Sequence, residues 1–285
     1  MRRFTGAARV SGVLGRPIVH SLSPLIHNAW IDAAGLDAVY APFSPSPGGV
    51  HKLFEACRGG LVAGFNVTIP FKEEALAAAD SASERARRAG AANLVLFADD
   101  GSIHADSTDG AGLMTALAEQ APGVRIAEAP VVVLGAGGAG RSAAAALLDA
   151  GAAEVRLVNR TRERAEAVAA ALGGRVRALG WDAAAEALAG ARLVVNATSL
   201  GLEGRGRLAL DLASLPPEAA VVDLVYRPLV TGFLASARAG GHAVVDGLAV
   251  LIGQAKPSFE ALFGRPPPAE ADVRSLALAA LKEER

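Results

Sequence analysis

The sequence predicts an α/β protein of two domains, and three observations carry that expectation. The chain has 285 residues, more than one typical domain length, so two modest domains can each bury a real core. Short apolar runs rich in β-branched residues alternate with longer Ala-rich segments of helical spacing, the pattern of parallel sheets joined by crossover helices. One of those runs passes directly into Gly135-Ala136-Gly137-Gly138-Ala139-Gly140 and then into a helix-like segment, the order in which a doubly wound, Rossmann-type sheet begins.

In chain order, strands are expected at Val10–Leu14 and Gly64–Ile69, with a helix at Pro24–Ala34 and a surface loop at Pro42–Gly49 between them. The polar stretch Asp109–Gly112 precedes helix-like Leu113–Gln120 and the break at Pro122-Gly123, and marks a domain boundary. Beyond it lie strands at Val131–Leu134, Val155–Val158, Leu193–Ala197, Ala220–Leu224 and Ala243–Val245. Helices at Arg141–Ala150, Arg162–Leu172 and Asp182–Leu188 fall between them. From Leu248 to Glu284 the pattern is helical, interrupted at Pro266-Pro267-Pro268, and contains no strand of its own. These last helices are expected to return to the first domain, which then comprises residues 1–108 and 248–285, leaving 109–247 for the second. Neither a fixed-period repeat nor a heptad pattern is present, which excludes solenoids and filaments.

Composition narrows the function. With 28 basic and 29 acidic side chains the chain has no global field to attract nucleic acid or anionic lipid. No apolar stretch reaches the roughly 18 to 20 residues needed to cross a bilayer, and Arg9 interrupts the N-terminal stretch before an export signal could form. The single Cys57 can form no internal disulfide, and the five histidines show no metal-ligand spacing, so a cytoplasmic protein without a metal is expected.

The glycine-rich turn has the context that gives such a motif meaning, because it follows the strand Val131–Leu134 and opens a helix. Gly135 permits the tight turn, Gly137 lets backbone approach a pyrophosphate and Gly140 allows close helix–strand packing; Ala136, Gly138 and Ala139 complete the loop. The helix N-terminus offers free N–H groups to the anion. The next strand ends in Asn159-Arg160-Thr161-Arg162-Glu163-Arg164, where an NAD-specific domain would carry Asp or Glu for the ribose 2′-hydroxyl. Guanidinium groups at Arg160 and Arg164 suit a 2′-phosphate instead, which points to NADP.

Several motifs resemble the shikimate/quinate dehydrogenase family in both order and spacing. They are Gly15-Arg16-Pro17-Ile18-Val19-His20-Ser21-Leu22-Ser23-Pro24, Asn66-Val67-Thr68-Ile69-Pro70-Phe71-Lys72, Ala91-Ala92-Asn93 and Ser107-Thr108-Asp109-Gly110. The glycine-rich turn, Asn159-Arg160-Thr161, Asn196-Ala197-Thr198 and Asp246-Gly247 complete the set. The resemblance spans nearly the whole chain and implies an N-terminal substrate domain, a second, NADP-binding domain, and a reversible hydride transfer between NADPH and 3-dehydroshikimate that gives shikimate for aromatic amino acid biosynthesis. It implies Lys72 and Asp109 as the acid/base pair, without saying which of them transfers the proton. It casts Ser21 and Ser23 on the substrate carboxylate, Thr68, Asn93 and Gln254 on ring hydroxyls, and Tyr226 facing the substrate. Leu224 and Gly247 are placed near the nicotinamide, and Asn159 and Thr161 beside Arg160 and Arg164 at the cofactor. The partner is a small molecule, with neither nucleic acid nor membrane, and the protein is expected to be a monomer or homodimer.

Hydride delivery to a ketone leaves negative charge on its oxygen, and an ammonium held by a carboxylate can stabilise that charge and supply a proton. The sequence departs from the family pattern at Ser107, where Asn is usual, and at Leu94, where Thr is common; both changes bear on selection between shikimate and quinate. An NAD-using quinate/shikimate dehydrogenase would carry a carboxylate where Asn159-Arg160 stands. A non-catalytic shikimate- or quinate-binding sensor would have no chemical need for both Lys72 and Asp109.

Overall fold

The computed structural model describes residues 4–60, 62–202 and 205–283. The first part of the chain runs β1 (Arg9–Leu14), α1 (Ser23–Ala33), β2 (Ala38–Phe43), α2 (Val50–Cys57), β3 (Val62–Val67), α3 (Lys72–Ala77), β4 (Ser81–Ala82), α4 (Glu84–Ala89), β5 (Leu94–Phe97) and β6 (Ile103–Asp106). There follow α5 (Asp109–Gln120), β7 (Pro130–Leu134), α6 (Gly138–Asp149), β8 (Glu154–Asn159), α7 (Arg162–Leu172), β9 (Val176–Gly180) and, after one 3-10 turn, α8 (Ala184–Ala187). The last elements are β10 (Leu193–Asn196), β11 (Ala220–Asp223), α9 (Gly232–Ala239), β12 (Ala243–Val245), α10 (Gly247–Phe263) and α11 (Val273–Glu283). The chain divides into two compact units, Met1–Thr108 with Gln254–Arg285, and Asp109–Gly253. The sequence placed the later division before Leu248, whereas here it falls inside α10 at the carbonyl of Gly253, the group that Pro257, lacking an N–H, leaves without its helical donor.

In the second unit the strand order is β12-β11-β10-β7-β8-β9 and every pairing is parallel. Numbered from β7, that is the 3-2-1-4-5-6 order of a doubly wound dinucleotide fold. Alternate residues of each strand enter opposite cores: Val131, Val133, Leu193 and Val195 pack with α5, α6 and α7, while Val132, Leu134, Val194 and Val221 pack with α8 and α9. Burial on both faces explains why these strands read as continuous apolar runs and were legible in the sequence.

The first unit departs from the expectation of a purely parallel sheet. Its order is β2-β1-β3-β5-β6-β4, and β5 runs antiparallel to both neighbours. The reversal comes from a hairpin: Ala98 N–H donates to Ser102 O, and Gly101 sits at φ 84° in the left-handed region that glycine tolerates. Asp99-Asp100-Gly101-Ser102 between two apolar runs is the hairpin signal for this reversal. Strands β2, β4, β5, β6 and β9 and helices α2, α4 and α9, all eight residues or shorter, were not expected from the sequence. Pro42, expected in a loop, lies in β2, the edge strand of this sheet, the position in which a sheet tolerates proline. One face of this sheet packs Leu14, Phe65, Val67, Val95 and Phe97 against Val50 and Phe54 of α2. Helix α11 packs with α1, so the C-terminal segment does return to the first unit. Among the described residues no helix is long and apolar enough to cross a membrane.

Candidate active site

In parallel α/β sheets ligands bind outside the carboxyl ends of the strands, because loops and helix N-termini converge there. In the first unit the loops after β1 and β3 lie side by side at that edge: Thr68 N–H donates to Leu14 O at 2.8 Å and Arg16 N–H to Ile69 O at 3.0 Å. The approach is so close that a Cβ on Gly15 would stand 2.5 Å from Thr68 Cγ2. Ser21 and Ser23 end the first loop. Helix α1 begins at Ser23 with Leu22 in the cap position and no side-chain cap, so Ser23 is not the capping residue; Ser21 Oγ accepts from the Ser23 N–H at 3.3 Å instead. Lys72 opens α3, and its carbonyl accepts from Ala92 N–H at 2.9 Å, which ties α3 to the segment leading into β5. Reversal of β5 brings its beginning, Asn93, to this same edge, where Asn93 Nδ2 donates to Gln254 Oε1 of α10 at 3.0 Å. Six of the expected residues, Ser21, Ser23, Thr68, Lys72, Asn93 and Gln254, are thus assembled within one unit.

Beneath them lies a buried polar network. Asn66 takes a hydrogen bond from Tyr40 Oη on its Oδ1 at 2.8 Å and donates from Nδ2 to Asn93 O and Ser258 Oγ. Thr108 joins Asn93, Gln254 and Ser258. Asn66 and Thr108 stand in the motifs quoted above without an assigned role, and Tyr40 and Ser258 carried no sequence signal beyond being polar in apolar surroundings. Burial pushes the Asp106 carboxyl up, but bonds from Arg85, Ser83 and the Ser107 N–H outweigh it and hold the group below its usual range. This ionised clamp anchors the strand end immediately before Ser107-Thr108. Leu94 is 1% exposed and pairs in register with Asn66, so at this position the departure from Thr is a core residue.

The second unit carries the expected nucleotide loop. Gly135 has φ 103°, and a Cβ on Gly140 would stand 1.9 Å from Gly135 O, so both positions require glycine. Gly137 is the exposed cap of α6, and a Cβ there would meet nothing within 4 Å, leaving open space at the helix N-terminus for an anion. Gly138 and Ala139 form the first turn of α6 beside it, and Ala136 N–H donates to Asn159 Oδ1 at 3.1 Å. Asn159 Nδ2 donates in turn to Thr161 O, so this side chain ties the two loops together. Arg160 and Arg164 are exposed, and among the described residues neither is paired with a carboxylate, whereas Arg162 is held by Glu166 at 2.9 Å. Those residues fit a 2′-phosphorylated dinucleotide.

Asp109 opens α5: the stretch Asp109–Gly112, expected as a polar lead-in, is already helical, and Gly110 lies close against Ala146 of α6, where a Cβ would stand 2.7 Å from that side chain. Leu224 and Tyr226 lie just beyond β11. Their loop is held by buried Asp223, which accepts from Asn196 Nδ2, Val225 N–H and Thr231 Oγ1; burial pushes its pKa up despite those donors. A Cβ on Gly247 would stand 2.6 Å from the carbonyls of Leu224 and Val225, so glycine is needed there for backbone packing, independently of any ligand.

Known proteins match this chain in both of its units. Residues 13–95 match the shikimate dehydrogenase substrate binding domain, and residues 116–202 match the shikimate / quinate 5-dehydrogenase family. The chain is 56% identical over 280 residues to the shikimate dehydrogenase (NADP(+)) of Caulobacter vibrioides, covering 98% of each. Among solved structures it resembles the shikimate 5-dehydrogenase of Thermus thermophilus in complex with NADP(H) and shikimate, at 39% identity and TM-score 0.83, over 95% of this chain and 99% of that one. It also resembles the quinate dehydrogenase of Corynebacterium glutamicum in complex with NAD, at 29% identity and TM-score 0.86, over 95% and 99% of the two chains. With both domain models matched in order and such identity over nearly its full length, the chain belongs to the shikimate dehydrogenase family.

Proposed function

We propose that the protein catalyses the reversible NADPH-dependent reduction of 3-dehydroshikimate to shikimate, an oxidoreductase step of aromatic amino acid and chorismate biosynthesis. The observation that carries this reading is 56% identity over 98% of the chain to an NADP(+) shikimate dehydrogenase. The strand end at Asn159-Arg160, with no carboxylate and with Arg160 and Arg164 exposed, supports NADP over NAD. NADPH supplies the hydride when bound. Ser21 and Ser23 hold the ring carboxylate, while Thr68, Asn93, Gln254 and Tyr226 orient the ring, which converts an encounter into an aligned reaction. Lys72 and Asp109 act as the acid–base pair, stabilising the charge that develops on the reacting oxygen and delivering to it the proton that completes the alcohol. The first unit is the substrate domain in this reading and the second the NADP domain. A cytoplasmic location, suggested by the single buried Cys57, and a monomeric or homodimeric state belong to the same proposal.

The test is nicotinamide absorbance with shikimate or quinate, each against NADP and NAD. Shikimate with NADP is expected to turn over fastest. In Lys72→Ala and Asp109→Ala, kcat is expected to fall by about a hundredfold to ten-thousandfold, the usual worth of positioned acid–base groups. Binding without turnover in every combination would identify a sensor instead.

A further inference from the structure

The amides of Asn93 and Gln254 could each present either a donor or an acceptor, since a half-turn about the last side-chain bond exchanges them. The surroundings remove that freedom. Thr108 N–H donates to Asn93 Oδ1 at 2.7 Å, and a backbone N–H can only donate, so the Asn93 oxygen must face it. Asn93 Nδ2 then points to Thr108 Oγ1 at 2.9 Å and to Gln254 Oε1 at 3.0 Å. An amino group cannot accept, so Gln254 must turn its oxygen inward and keep Nε2 as the atom it offers elsewhere.

The layer below supports the same polarity. Tyr40 Oη donates to Asn66 Oδ1 at 2.8 Å, so both Asn66 Nδ2 protons are committed, to Asn93 O at 3.1 Å and Ser258 Oγ at 2.9 Å. Ser258 Oγ donates to Gln254 O at 3.0 Å and lies 3.1 Å from Thr108 Oγ1, whose single proton also has Gln254 Oε1 and Asn93 Oδ1 within 3.3 Å. Thr108 Oγ1 therefore accepts from Asn93 Nδ2 and keeps its own proton within the same buried cluster. Thr108 is 1% exposed and Ser258 0%, so neither can replace a lost partner with bulk water.

We propose that Thr108 and Ser258 are positioning residues: the Thr108 N–H sets the polarity of the Asn93–Gln254 amide pair and the Thr108 and Ser258 hydroxyls hold that pair in place, so that Gln254 meets the ring acid as a hydrogen-bond donor. The proposal rests on the shikimate dehydrogenase reading above and adds to it which atom of Gln254 faces the substrate and what holds it there. Neither Thr108 nor Ser258 touches the reacting atoms, so the signature is in the KM for the ring acid.

The experiment compares Thr108→Val with Thr108→Ser, with wild type assayed first on shikimate and NADP. Valine keeps the shape and loses the hydroxyl; serine keeps the hydroxyl and loses the methyl. Thr108→Val is expected to raise the KM for shikimate about tenfold, roughly one buried hydrogen bond, with the KM for NADP unchanged and kcat within about twofold. Thr108→Ser is expected to keep the wild-type KM even if its melting temperature falls. A pure packing role gives the reverse order, serine worse than valine, and would overturn the proposal, as would equal shifts in the KM values for shikimate and NADP. Ser258→Ala provides a second test should Thr108→Val not fold: it is expected to raise the KM for shikimate by about threefold with the KM for NADP constant, and an unchanged value counts against the proposal. Wild-type protein that does not turn over shikimate refutes the functional reading and this proposal together, whereas active wild type with an indifferent Thr108→Val and Ser258→Ala refutes the positioning alone.

Discussion

His27 gives the first unit a built-in sensitivity to acid. It sits on α1 with 0% exposure, stacked on Tyr40 at 4.1 Å between ring centroids and flanked by Trp30 and Phe259, and among the described residues neither ring nitrogen has a hydrogen-bond partner. Burial lowers its pKa from 6.5 to about 3. Tyr40, the titratable group facing it, is pushed up by its own burial and stays neutral. The unfolded chain therefore binds a proton between about pH 6.5 and 3 that the folded unit refuses, so stability is intact above pH 6.5 and is lost as pH falls. At about 1.4 kcal/mol per pH unit, roughly 2 kcal/mol is gone at pH 5. Carboxylates held low, such as Asp80 at about 2 beside Arg58, lose their contribution only at more acid pH, so between pH 7.5 and 5 the difference between wild type and His27→Phe isolates this histidine. Urea unfolding followed by Trp30 fluorescence in a Trp181→Phe background reports the first unit. Wild type is expected to lose about 2 kcal/mol between those pH values and His27→Phe to lose much less. An equal acid loss in His27→Phe, or an imidazole that titrates near pH 6.5 by NMR, would refute the reasoning.

Other outcomes follow from the same coordinates. Arg160→Ala combined with Arg164→Ala is expected to raise the KM for NADP by about tenfold to a hundredfold while leaving that for NAD nearly unchanged, because charge-assisted bonds to a 2′-phosphate are removed; equal effects on both cofactors would dismiss these residues as phosphate ligands. Gly140→Ala drives a Cβ to 1.9 Å from Gly135 O, so steady-state kinetics should show loss of NADP binding with far smaller change in shikimate affinity. Asp223→Ala strands Asn196 and Thr231 in a buried site and is expected to destabilise the second unit by about 2 to 4 kcal/mol in a denaturant titration, with a loss under about 1 kcal/mol contradicting the network.

The second unit was the more legible of the two. Its strands are buried on both faces, so each reads as a short apolar run, and its nucleotide loop is contiguous in sequence, with glycines demanded by local backbone geometry at Gly135 and Gly140. The first unit was read mainly through its motifs. Its short strands β2, β4, β5 and β6 and its six- to eight-residue helices offer too few turns of periodicity to stand out in the sequence.

By itself the sequence determined the local chemistry: the residue types of the motifs, the cation pair where an acid would select NAD, and the glycines of the turn. Only the tertiary structure decided what those residues share. Reversing β5 puts Asn93 at the carboxyl edge beside Thr68 and Lys72, and folding α10 back supplies Gln254 and Ser258 from more than a hundred residues away in the chain. The buried network of Tyr40, Asn66, Thr108 and Ser258 exists only where those segments meet. Polarity in a hydrogen-bonded cluster is a property of partners, and partners distant in sequence are chosen by packing.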